Sequence, residues 1–172
     1  MTPSPAARPK IAMWTDGSAR GSNPSPHGGW AAILIDDGGK RIRALSGHYQ
    51  KATNQRSEAY AALHGLRALK RSCDVDIYTD SMYVIRCIEL VQRGMRRKNG
   101  KLPNANRDIW GQFPEVLARH TVRLHHVPGH SGVEQNDWAD KLAYEAANLG
   151  VETDQYYDSL PSKRRRTPLV PV

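Results

Sequence analysis

The alternation of apolar and polar positions divides the chain into short strands and longer helices. Apolar residues at every second position, or in short runs bounded by turn residues, predict strands at 10–16, 29–35, 40–49, 75–80 and 121–127. Apolar residues at three- and four-residue spacing predict helices at 54–71, 81–92 and 136–148. A fourth helical pattern includes Ile109 and Leu117, and Pro114 within it predicts a kink or a break into two short helices.

The order of these elements predicts an α/β fold of the mixed α+β kind. Three antiparallel strands are followed by helix-linked parallel strands, which indicates a five-stranded mixed sheet flanked by helices. Strand 40–49 alternates Arg and His with apolar residues, as expected of a sheet edge with one wet face. Prolines in weakly apolar sequence predict a disordered N-terminus at 1–9 and a flexible basic tail at 151–172, around one domain at 10–150.

The formal net charge of +8 is concentrated in two segments. The segment from Arg86 to Lys101 contains six basic residues and one acid. Residues Lys163 to Arg166 are four consecutive basic residues. The rest of the chain is close to neutral. A basic run is commonly a solvated surface. For the tail alone, a solvated surface and a role in binding fit the sequence equally well. Two such runs beside a cluster of acids favour a polyanionic substrate.

Several classes of protein are excluded by composition. No stretch of eighteen apolar residues predicts a membrane span, and residues 1–10 lack the apolar core of a signal peptide. Cys73 and Cys87 are expected to be reduced thiols, too few for a zinc site. We therefore expect a cytoplasmic, monomeric protein without membrane contact, or a nuclear one if the source is eukaryotic.

Four carboxylates stand where regular elements meet turns. Asp16 and Asp80 each end a strand within the pattern Thr-Asp-(Gly/Ser). Glu58 lies near the start of the helix at 54–71, and Asp140 is expected in the first turn of the last helix. Crowded carboxylates repel one another unless cations neutralise them, and oxygen ligands select Mg²⁺ or Mn²⁺. The pattern points to two-metal phosphodiester chemistry.

Four motifs share their order and spacing with a known enzyme family. They are Thr15-Asp16-Gly17-Ser18, Asn54-Gln55-Arg56-Ser57-Glu58, Thr79-Asp80-Ser81 and Pro128-Gly129-His130-Ser131-Gly132 with Asn136 and Asp140. Together they resemble type 1 ribonuclease H over residues 10–148. The resemblance implies a ribonuclease H-like fold and an endonuclease that cuts the RNA strand of RNA/DNA hybrids, leaving 5′-phosphate and 3′-hydroxyl ends.

The resemblance also implies the catalytic roles. Asp16 would bridge two Mg²⁺ ions, for which Mn²⁺ can substitute, about 3.5–4 Å apart. Glu58 and Asp80 would complete the shell of one ion, and Asp140 would hold the ion that activates water. A helix N-terminus is expected to keep Asp140 ionised. His130 would assist proton movement or the release of product and metal, although a loop histidine with a structural hydrogen bond is the plainer interpretation.

Further residues are expected to contact the hybrid. Those resembling the family's contacts to sugars and bases are Gly17, Ser18, Asn23, Thr53, Asn54 and Gln55. Thr53 or Asn54 would also serve as the N-cap of its helix. The segment 93–101 resembles the family's basic protrusion, shorter and without tryptophan, and its expected phosphate contacts are Arg93, Arg96, Arg97 and Lys98.

Two other functions fit the same pattern. One is a DNA-acting nuclease or integrase of the same superfold, because fold alone does not fix the substrate. The His130 loop and the Asn54-Gln55 pair argue against it. The other is a catalytically inert nucleic-acid-binding domain, which would be expected to lack one of the four acids. A module of a polymerase polyprotein is also conceivable, but Met1 and the short flanks favour a free-standing protein.

Overall fold

The computed structural model describes residues 6–21, 24–94 and 105–162. Its strands are β1 (Lys10–Ala19), β2 (Gly28–Asp36), β3 (Ile42–Tyr49), β4 (Asp74–Thr79), β5 (Thr121–His126) and β6 (Thr153–Tyr157). Its helices are α1 (Asn54–Arg67), α2 (Met82–Gln92), α3 (Arg107–Trp110), α4 (Phe113–Arg119) and α5 (Glu134–Leu149). The predicted contacts Asn23, Arg96, Arg97 and Lys98 lie outside the described residues.

The strands form one mixed sheet in the order β5-β4-β1-β2-β3-β6. The pairs β1–β2, β2–β3 and β3–β6 are antiparallel, and the pairs β1–β4 and β4–β5 are parallel. The parallel pair β1–β4 lies inside the sheet, since β5 and β2 flank it. Its two strands therefore end side by side, which brings the residues that follow them together.

Two layers of helices cover the sheet. Helices α1 to α4 bury one face, where Met13, Leu34 and Ile77 belong to the larger core cluster. Helix α5 buries the other face against β1, β2 and β3, with Trp138 and Leu142 at the contact. The alternation of side chains along each strand supplies both faces with apolar groups, which confirms the predicted helix-flanked mixed sheet.

The sheet has six strands, so the prediction of five was wrong. Strand β6 pairs with β3, which makes β3 an interior strand and contradicts the expectation of a flexible chain throughout 151–172. Gly150, at φ +64°, ends α5 and turns the chain back toward the sheet. Arg43 then donates two hydrogen bonds to Asp154, at 2.9 and 3.0 Å. A five-residue, mostly exposed strand gives almost no apolar periodicity, which is why the pattern missed it.

Other details refine the predicted boundaries. Pro114 lies in the first turn of α4, so the predicted break into two short helices is confirmed. Helix α5 begins at Glu134, which places Asp140 in its second turn; the expected first-turn position was wrong. Cys73 and Cys87 are buried and are not joined by a disulfide. In the part of the chain described, no helix is both long and apolar enough to cross a bilayer.

Candidate active site

The ends of β1 and β4 bring Asp16 and Asp80 together. The parallel register aligns Trp14 with Tyr78, so the two acids follow at equivalent positions, each two residues farther along. Asp16 is buried, with 6% of its surface exposed, and its Oδ1 accepts a hydrogen bond from the Gly17 N–H at 2.8 Å. The acid is thereby held in one orientation at the edge of the sheet.

Glu58 reaches the same place because α1 packs directly on β1. A Cβ atom on Gly17 would lie 2.3 Å from the Glu58 backbone nitrogen, so only glycine permits this approach. The Ser81 hydroxyl donates to Glu58 Oε2 at 2.6 Å. The same hydroxyl oxygen accepts the Val84 N–H at 3.2 Å and so caps α2. The turn after Asp80 therefore holds the carboxylate of Glu58.

Asp140 completes the cluster from α5, since it lies close enough to Asp16 to raise the pKa of that acid. Burial, followed by the charges of Asp80 and Asp140, raises the pKa of Asp16 from 3.8 to about 8.

The other two acids are also perturbed toward the neutral form. Burial raises the pKa of Glu58, with the Asp80 charge adding to the rise and the Ser81 hydrogen bond opposing it. Burial and the Asp140 charge raise the pKa of Asp80. The pocket thus concentrates negative charge that its own hydrogen bonds do not neutralise. Its all-oxygen donor set fits hard divalent cations.

The described acids interact in pairs rather than around one point. Asp16 interacts with Asp140, and Glu58 accepts a hydrogen bond from Ser81. Among the described residues, no three carboxylate, imidazole or thiolate groups lie close enough together to form a metal shell.

The loop from 128 to 133 lies against Asp80. A Cβ atom on Gly129 would be 2.9 Å from Asp80 Oδ2, so the loop backbone approaches the carboxylate closely. His130 adopts the left-handed region at φ 53°, which is uncommon for a residue with a side chain and marks functional loops. The loop places His130 near enough to Asp80 for their interaction to oppose the rise in the pKa of that carboxylate.

The sequence interpretation missed one histidine near the acids. His126 also opposes the rise in the pKa of Asp80, although its sequence context gave it no role. It ends β5 opposite Thr79, the residue before Asp80. The signal that could have found it is the pairing of β4 with β5, which periodicity alone does not reveal.

The predicted contacts to sugars and bases surround the β1–α1 junction. Thr53 is the N-cap of α1, since its side chain accepts the Arg56 N–H at 3.1 Å. Asn54 is the first helical residue, and its Oδ1 accepts the Ala19 N–H at 3.0 Å. The Ser57 hydroxyl donates to the carbonyl of Ser18 at 2.9 Å. These bonds hold the end of β1 and the start of α1 as one surface.

The two remaining predicted contacts in the described residues are exposed side chains near helix ends. Gln55 is exposed in the first turn of α1, and Arg93 is exposed at the C-cap of α2. The sequence interpretation did not anticipate an ion pair that α1 makes with Asp108. Arg56 donates to both Asp108 oxygens, at 2.9 and 2.7 Å, and to Asn106 Oδ1 at 3.2 Å. The segment 106–108 is therefore held against α1 at Arg56, two residues before Glu58.

Comparison with known proteins agrees with this geometry. The sequence model of the family described as RNase H matches residues 8–148. A ribonuclease H of Marinobacter nauticus is 43% identical over 146 residues, which cover 83% of this chain and 94% of that protein.

Solved structures show the same fold. The crystal structure of LC9-RNase H1, a type 1 RNase H with the type 2 active-site motif, superposes with a TM-score of 0.73 at 26% identity, covering 91% of this chain and 80% of that one. LC11-RNase H1 in complex with an RNA/DNA hybrid has a TM-score of 0.63 at 22% identity, covering 81% and 98% of the two chains. The length of the family match and the identity to the curated relative establish that this chain belongs to the ribonuclease H family.

Proposed function

We propose that this ribonuclease H hydrolyses the RNA strand of RNA/DNA hybrids with two Mg²⁺ ions held by Asp16, Glu58, Asp80 and Asp140. The observation that carries the proposal is the position of Asp16, a buried acid beside other acids: burial, and then the charges of Asp80 and Asp140, raise its pKa to about 8. Groups that resist ionisation together become good ligands once a divalent cation supplies the missing positive charge. The complex of LC11-RNase H1 with a hybrid supports the choice of substrate for a protein of this fold.

Each acid has a distinct part in this proposal. Bound divalent cations would supply Lewis-acid stabilisation of the phosphate and a water of lowered pKa. Asp16 would be the ligand common to both ions, a role that its interactions with both Asp80 and Asp140 support. Ser81 orients Glu58 through its hydrogen bond to Oε2. His130, near Asp80 on a loop that touches that acid, would assist proton movement or the release of product and metal.

Recognition of the hybrid is assigned to the β1–α1 surface and to the basic segment. Gly17, Ser18, Thr53, Asn54 and Gln55 would sense the 2′-hydroxyls in the wide minor groove. The hydrogen bond from Ala19 to Asn54 supports this role, because it fixes the amide beside the acids. Arg93, and outside the described residues Asn23, Arg96, Arg97 and Lys98, would contact the nucleic-acid backbones.

The domain at 10–150, extended by β6, is proposed to act as a monomer. A bacterial relative such as that of Marinobacter nauticus supports the cytoplasm as its compartment. Size-exclusion chromatography with light scattering tests the monomer: a mass near 19.2 kDa is expected, and a stable dimer would contradict it.

The test of function compares four end-labelled 20-mer substrates: RNA/DNA, RNA/RNA, DNA/DNA and single-stranded RNA. Each is incubated with Mg²⁺ and with EDTA, and Asp80→Asn is the control for a contaminating nuclease. We expect Mg²⁺-dependent cleavage of the hybrid alone, with 5′-phosphate products and none from the variant. Equal cleavage of duplex DNA would assign the chain to a DNA-acting enzyme, and binding without cleavage would assign it to an inert nucleic-acid-binding domain.

A further inference from the structure

Three aromatic rings stack across the parallel strands next to the acids. Trp14 on β1 and Tyr78 on β4 have centroids 4.3 Å apart and planes inclined by 12°. Tyr78 and His125 on β5 continue the stack at 4.7 Å and 17°. The three residues occupy one register row, because Trp14 pairs with Tyr78 and Tyr78 with His125.

Hydrogen bonds to Asp76 hold the outer end of this stack. His125 Nε2 lies 2.7 Å from Asp76 Oδ1, two register rows farther from the acids. Arg123 donates to both oxygens of Asp76, at 2.9 and 3.0 Å. The ring of His125 is thus held in the plane that stacks on Tyr78, although β5 is an edge strand.

The stack lies directly before the carboxylates. Trp14 and Tyr78 each precede an acid, Asp16 or Asp80, by two residues, and residues two apart in a strand point to the same face. Trp14 and Tyr78 form the last register pair between β1 and β4. Beyond that pair come two acids on strands spaced about 4.8 Å apart, which repel when ionised.

We propose that the Trp14–Tyr78–His125 stack is a positioning element that fixes the separation of Asp16 and Asp80 before cations bind. The inference rests on the metal-dependent function proposed above. Ring contacts across the last paired row oppose the splaying that repulsion between the next two side chains would cause. If the stack is removed, cation binding must itself draw the strand ends together, and metal affinity falls while the hybrid-binding surface is unchanged.

Tyr78→Leu tests the proposal, with Tyr78→Phe as the conservative variant that keeps the ring. The matched control is Tyr157→Leu, which removes an edge-to-face contact with Trp138 whose ring centroids are 5.4 Å apart. Tyr157 lies on β6, three strands from β1 in the sheet. Mn²⁺ and Mg²⁺ affinities are measured by calorimetry without nucleic acid. The Mg²⁺ dependence of single-turnover cleavage and the hybrid KM are measured separately.

We expect Tyr78→Leu to weaken cation binding by about threefold to tenfold, the range of an aromatic pair. Tyr78→Phe and Tyr157→Leu should keep wild-type affinity, and the hybrid KM should not change. Wild-type cation affinity in a folded Tyr78→Leu protein would overturn the proposal and leave the stack a purely structural contact. If that variant does not fold, His125→Leu, which removes one ring from the end of the stack, decides by the same measurement.

The calorimetric readout separates this inference from the proposed function. A wild-type protein that binds cations but does not cleave hybrids would refute the function, while the comparison of Tyr78→Leu with wild type would still judge the stack. A wild-type protein that binds no divalent cation would refute both.

Discussion

Replacing Asp16 with Asn should stabilise the cation-free protein and abolish cleavage. The substitution keeps the size of the side chain and removes the group whose pKa rises from 3.8 to about 8 in the folded state. The unfolded chain loses this proton near pH 4, whereas the folded protein keeps it up to about pH 8. Stability that depends on Asp16 is therefore complete below pH 4 and falls as the pH rises through that window.

The magnitude follows from the size of the window. Neutral pH lies about 3 units above the ordinary pKa, and each unit corresponds to about 1.4 kcal/mol, so the upper bound is about 4 kcal/mol. Water entry and relaxation around buried charges reduce such values, and we take about half, or 2 kcal/mol. For a chain of this size that stabilisation raises the melting temperature by about 4–8 °C.

The assay is thermal unfolding in EDTA, followed by circular dichroism, at half-unit steps from pH 4 to pH 9. Asp16→Asn should match the wild type near pH 4 and exceed it increasingly toward pH 8. Asp76→Asn is the control of opposite sign, because Arg123 and then His125 hold the pKa of Asp76 at about 2. That variant should be less stable than the wild type at neutral pH. A melting temperature for Asp16→Asn that is equal to or below wild type at pH 8 would refute the reasoning.

Three further results are expected. His130→Ala should slow multiple turnover with little loss in the calorimetric affinity for Mg²⁺, and a lost affinity would make the loop a ligand-bearing element. Neutral residues at Arg96, Arg97 and Lys98 should raise the hybrid KM and flatten the slope of log affinity against log salt by about 0.7–0.9 per lost contact. Deletion of residues 163–172 is the comparison, and a larger effect of that deletion would assign the phosphate contacts to the tail. Gly17→Ala should destabilise the protein by at least about 2 kcal/mol, since a Cβ 2.3 Å from a backbone nitrogen cannot be accommodated by a rotamer change; chemical denaturation measures it, and a neutral substitution would show that α1 can move away.

Sequence patterns predicted what depends on local periodicity and on the order of motifs. Asp16 and Asp80 could be placed together because the ends of parallel strands meet at one sheet edge, whatever the surrounding side chains are. The Thr53 cap and the break at Pro114 follow from local backbone chemistry. These features need only a few neighbouring residues to be specified.

What the patterns missed depends on tertiary pairing. Strand β6 is formed by pairing with β3, where Asp154 meets Arg43, 111 positions away in the sequence. His126 approaches Asp80 only through the pairing of β5 with β4. The position of Asp140 in its helix was misjudged because nothing between 128 and 136 indicates that α5 begins at Glu134. Long-range contacts of this kind leave no periodic trace in the chain.

The backbone contact between Gly17 and Glu58 also sets how the molecule can open. With no side chain between Gly17 and Glu58, the backbones of β1 and α1 are in direct contact, so a movement of α1 away from β1 also carries Glu58 away from Asp16. An excursion that frees α1 must therefore dismantle the acid cluster, and a ligand bound there opposes that excursion by mass action. Divalent cations would thus slow amide exchange and proteolysis along all of α1, including its distal turns, which lie far from any metal ligand.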